Sequence, residues 1–156
     1  MIEVDIKGEY QKLAKRHKLP KYIDIDKDFE ISTIDKTEFL LREIRRKILD
    51  KFDGIREILE HIIQPDANSF SSMYETRIFS DEEKKKIYNI YKTLMRMDRT
   101  ASIVNLRADE KEDAQYIKNT FAEWQKLKPK LMQYFEKIKK NWEKETSVKE
   151  DLGYLG

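Results

Sequence analysis

The chain has 156 residues, no cysteine, 40% charged and 39% hydrophobic residues, and a formal net charge of +2 at pH 7. The missing thiols exclude a disulfide framework and thiolate metal or nucleophile chemistry, and the near balance of 32 basic against 30 acidic residues excludes a whole-molecule field aimed at nucleic acid or an anionic membrane. Only Pro20, Pro65, Pro129 and four glycines punctuate a composition suited to long helices with solvated outer faces, and the Lys, Glu and Ile load matches the habit of proteins from hot environments.

Ile2, Val4 and Ile6 alternate with Glu3, Asp5 and Lys7, which predicts a short strand or extended arm before a short helix over Glu9 to His17. Acids at Glu3, Asp5 and Glu9 do not fit a signal peptide, no stretch approaches 18 apolar residues, and the expected location is the cytoplasm. Pro20 biases Leu19 away from helix, and Ile23, Ile25, Phe29 and Ile31 read as an extended segment with apolar groups inward. Residues 1–34 are thus expected to form an N-terminal arm.

Asp35 with Glu38 predicts a helix start, and the stripe Leu41, Ile44, Ile48, Phe52, Ile55, Leu59 and Ile62 carries that helix to Ile63 across Gly54. The link from Gln64 to Phe79 is long and apolar, which points to a binding edge or a flap folded over the core. Ser80 and Glu83 have the spacing of a capping box, and Ile87, Ile90, Tyr91, Leu94, Met97, Ala101 and Val104 form the stripe behind it. The register breaks near Ala108, where Asp109 and Glu112 cap a third helix. Its stripe is Ala114, Ile117, Phe121, Trp124, Leu131, Phe135, Ile138 and Trp142, with a missing beat at Lys128 where Pro129 should disturb the helix. The fold expected is all-α: an antiparallel up-down-up bundle of three long helices over 35–145, one domain with the arm over 1–145, and a loose C-terminal tail over 146–156.

Three constellations bear on function. Arg42, Arg45, Arg46, Arg96, Arg99 and Arg107 could form an anion or nucleic-acid site, because guanidinium forks hold phosphate and carboxylate, with Arg45 expected level with Arg99. Lys126, Lys128, Lys130, Lys137, Lys139, Lys140 and Lys144 near Trp124, Tyr134 and Trp142 form a second basic face, although both indoles are expected in the core. Phe70, Met73, Tyr74 and Phe79 in the link, and Leu152, Tyr154 and Leu155 in the tail, are candidate partner-binding residues. No catalytic residue, metal set or cofactor motif emerges, since His61 and Glu57 alone make a poor ligand pair. The reading is a non-enzymatic protein-protein interaction module that binds another protein or itself; nucleic-acid binding through the Lys and Arg faces is the alternative, and a small-anion-binding helical enzyme the third.

Overall fold

The computed structural model describes residues 4–145 together with Glu150 and Leu152. The chain is all-helical, 81% helix, with no strand among the described residues. Within residues 4–145 the helices are, in order, α1 (Ile6–His17), α2 (Tyr22–Phe29), α3 (Leu40–Ile63), α4 (Phe70–Thr76), α5 (Asp81–Arg107) and α6 (Glu110–Glu143), with a 3-10 turn at Ile31–Thr33. They compose two compact units, one of residues 1–53 and 95–125, the other of residues 54–94 and 126–156. No helix among the described residues is long and apolar enough to cross a membrane.

In the first unit the expected short helix over Glu9 to His17 forms and starts three residues earlier, in a stretch read as extended. Asp5 accepts from the Gly8 amide at 2.9 Å, so α1 starts at Ile6 and buries Ile6, Tyr10 and Leu13, a spacing of four and three. Glycine at position 8 leaves room for this cap, since a Cβ there would displace the Asp5 carboxylate. Residues 22–29 are likewise helical rather than extended. Ile25 and Phe29, one turn apart, face inward, and Ile23, on the other side of α2, is 73% exposed. Alternation in the sequence had concealed a helical period. Glu30 closes α2 in the left-handed region, and buried Ile31 and Ile34 carry the chain onward.

The buried Ile34 lies in extended backbone, and α3 therefore starts at Leu40 rather than at an Asp35 cap. Phe39 precedes it at φ 52°, a left-handed conformation that disfavours a side chain with a Cβ. The stripe Leu41, Ile44, Ile48 and Phe52 is buried, and Phe52 packs on Phe29 and Trp124 with ring centroids 6.0 and 5.4 Å away. Ala108, also left-handed, separates α5 from α6, and the Asp109 carboxylate caps the Lys111 amide at 3.1 Å.

In the second unit Ile55, Leu59 and Ile62 continue the α3 stripe, and α5 opens as expected. The Glu83 amide donates to Ser80 Oγ at 3.1 Å and the Ser80 amide to Glu83 Oε1 at 3.2 Å, the reciprocal bonds of a capping box. The link before it contains α4, capped by Ser69. A seven-residue helix has too few hydrogen bonds to stand alone. Side chains tie it down: Ser72 Oγ donates to the His61 carbonyl at 2.9 Å and Thr76 Oγ1 to that of Ile62 at 2.7 Å, satisfying acceptors that the end of α3 leaves open.

Helix α6 runs through Pro129 as one element. The expected gap at Lys128 is filled by Leu127: Ile117, Thr120, Trp124, Leu127, Leu131, Ile138 and Asn141 are all buried, in steps of three and four, with half-buried Tyr134 between the last two pairs. The inward line therefore passes beside three expected core residues. Phe121 and Phe135 are half-buried, and Trp142 is 44% exposed. Of the expected tail, Glu150 and Leu152 are exposed, and Tyr154 and Leu155 lie outside the described residues.

Phe52→Ala should cost about 3–5 kcal/mol, because lost transfer energy is joined by a cavity among Phe29 and Trp124. Phe121→Ala should cost clearly less. Urea unfolding of both variants, followed by far-UV circular dichroism, checks the order.

Candidate functional site

The arginines occupy separate environments. Arg45, 2% exposed, donates through Nη1 to buried Asp113 Oδ1 and through Nη2 to Oδ1 of exposed Asn105 at 2.6 Å, a network joining α3, α5 and α6 within the first unit. Burial pushes the Asp113 carboxyl above its ordinary range, while Arg45 and Arg42 pull it back. Arg45 lies against Asn105, almost two turns along α5 from Arg99. Arg42 covers the Phe39 ring at 4.6 Å, Arg46 pairs with Glu43 at 2.6 Å, Arg99 with Asp98, and Arg107 with Glu112 at 2.7 Å. Arg96 lines a different cleft of about 240 Å³ with Met97, Tyr116 and Thr120. Arg42 and Arg45 both act on Asp113. Four of the guanidiniums already have carboxylates of this chain as partners.

The second unit gathers the apolar candidates differently. Tyr74 and Phe79 are buried, Met73 is half-buried, and Phe70 is 37% exposed. Tyr74 stacks on Trp142 with centroids 4.2 Å apart and planes 28° from parallel, and Phe70 lies 5.7 Å from Tyr74 and 6.3 Å from Trp142. The Tyr74 hydroxyl donates to the Asn141 carbonyl at 2.8 Å, Trp142 Nε1 donates to Glu75 at 2.9 Å, and the Arg77 guanidinium covers the Tyr74 ring at 4.1 Å. The result is an aromatic ledge, Phe70 and Trp142, held from beneath yet open to solvent.

Beside it lies a cleft of about 450 Å³ whose lining includes Ile78, Glu136, Lys137, Lys140, Asn141 and Lys144. Lys137 donates to both Glu83 oxygens at 2.9 Å, and this bond together with the Ser80 amide draws the Glu83 carboxyl below its ordinary range. No described carboxylate pairs with Lys140 or Lys144. Asn141 is buried and its Nδ2 has no hydrogen-bond partner. Among the described residues no group of three His, Asp or Glu is placed to hold a metal ion.

The lysines and the link aromatics were visible in the sequence. Trp142 was named beside the basic face but assigned to the core, whereas Glu75 and Asn141 were not named, and the signal for Asn141 was its place three residues after Ile138 on the inward line of α6. No family model, curated protein or solved structure matches this chain.

Removing one partner of the Arg45–Asp113 pair leaves a buried charge, so Arg45→Met or Asp113→Leu alone should cost about 3–5 kcal/mol, and the double variant much less than the sum. A double-mutant cycle in urea measures this. For Glu83 the folded carboxyl is lowered, so its contribution is present above the unfolded value and is lost as pH falls through the folded one. The stability gap between wild type and Glu83→Gln should therefore be open at neutral pH and close in acid, as thermal melts across that range would register.

Proposed function

We propose that the chain is a non-enzymatic protein-interaction module whose docking face is the Phe70 and Trp142 ledge with the adjoining lysine-lined cleft. The partner is a protein segment that carries an apolar side chain next to an anionic one. The observation that carries this reading is Trp142. An indole stacked on Tyr74 and hydrogen-bonded to Glu75, yet 44% exposed, is large apolar area already fixed in place, the property of binding hot spots. Lys140 and Lys144 supply the charge complement. The titratable groups lining the cleft are lysines and one glutamate, a set suited to holding an anion more than to paired acid and base chemistry.

One observation favours nucleic acid as the second reading: an exposed indole beside lysines can stack on a base while the ammonium groups hold phosphates. Titration of the labelled chain, followed at the two indole N–H resonances with Trp142 assigned from a Trp142→Phe variant, separates the two. Acidic peptides with a central Leu or Phe should shift the Trp142 resonance with weak dependence on salt, and Phe70→Ala or Trp142→Ala should weaken binding about tenfold or more. Saturation by an oligothymidylate with affinity falling steeply in salt, and no response to the peptides, would establish the nucleic-acid reading instead.

A further inference from the structure

The basic cleft of the second unit contains a contradiction that its own residues do not resolve. A buried amide donor without an acceptor is destabilising, and native proteins leave few such groups. Asn141, 4% exposed, lines the cleft with Nδ2 unpartnered, although its backbone carbonyl is bonded to Tyr74. Around it Lys137 and Lys140 stand one turn apart on α6, and Lys144 follows just past its end. Lysines in the last turns of a helix also complement its dipole. That role explains their charge and leaves the Asn141 amide unsatisfied.

We propose that this cleft is a binding site for a phosphate monoester. It rests on the protein-interaction reading only for the identity of the molecule that bears the phosphate, a phosphorylated segment of the docking partner. The charge count selects the ligand. Lys137 is neutralised by Glu83, whereas Lys140 and Lys144 lack a described carboxylate partner, so two ammonium groups are left for an anion. A carboxylate brings one negative charge. A phosphate monoester brings close to two at neutral pH together with three acceptor oxygens, matching two ammonium groups and one amide donor. Glu136, on the same lining, offsets part of this positive charge, so the cleft takes a single anionic group. A cleft of about 450 Å³ holds that group together with the side chain or ring that carries it.

The test is a titration of the full chain with phenyl phosphate, phenylacetate and inorganic phosphate, followed by amide and side-chain NH₂ resonances. Phenyl phosphate should shift the Asn141 side-chain amide and bind about tenfold more tightly than phenylacetate, and Lys140→Gln/Lys144→Gln should erase that margin. These surface variants keep the core intact, so loss of binding would not reflect unfolding. Equal affinity for phenyl phosphate and phenylacetate, phosphate binding that survives Lys140→Gln/Lys144→Gln, or a silent Asn141 amide would overturn the proposal. So would equal competition by oligothymidylate, which carries phosphodiesters. Acidic peptides engaging the ledge without any preference for phosphate would sink this inference while the protein-interaction reading stood; phenyl phosphate bound in the cleft while no peptide engages the ledge would do the reverse.

Discussion

The guanidinium of Arg45 sits among apolar side chains, and the first unit is built so that it never meets them unpaired. A stripe of apolar residues repeating in steps of three and four tolerates a slip of one repeat, because leucine and isoleucine fit many holes. A buried cation does not. Arg45 on α3 is held by Asp113 on α6 and by Asn105 on α5, and a slip that separated Arg45 from Asp113 would strand a charge in the core. Such a network adds little net stability over an apolar core, but it selects one register among several that hydrophobic burial would accept.

The second unit solves a different problem, how to finish α3 without exposing its last carbonyls. The hydroxyls of Ser72 and Thr76 do it, and the short helix that carries them is fixed in return. Tyr74, from the same turn, reaches the Asn141 carbonyl, so α4 is bonded to α6 as well. Phe70 and Glu75 are placed by that anchoring, and they fix the ledge and the Trp142 indole. The candidate site is thus a by-product of helix termination.

Much of this was legible in the chain. The stripes of α3 and α5 lie where their spacing puts them, and Ser80 with Glu83 marks its helix start to the residue, because these signals are local. Within the N-terminal arm the expected helix over Glu9 to His17 is present, but the segment after Pro20 misled for a physical reason: Ile23, Ile25 and Ile31 alternate with acids, yet Ile25 and Phe29 are one turn apart, and burial of that pair outweighed alternation. Trp142 was read as core because an indole is large and apolar. Asn141 beside it occupies the inward position, and a one-residue offset is invisible when the polar member of a pair is the buried one. The partners of Arg45 could not be read at all, since its pairing with Asp113 spans 68 residues of sequence. For the site, Phe70, Lys140 and Lys144 were nameable, whereas the groups that orient them belong to tertiary structure.

The bonds between α4 and the end of α3 also have a thermodynamic corollary. A side chain on a free loop loses rotamer freedom when a partner arrives, a penalty of about 0.5–1.5 kcal/mol for each group immobilised. Trp142 and Tyr74 have already lost theirs on folding, through the stack between them and the bonds to Glu75 and the Asn141 carbonyl. Contact at this face therefore carries a small entropic penalty on the side of this chain, and the ordering that remains falls mainly on whatever binds there.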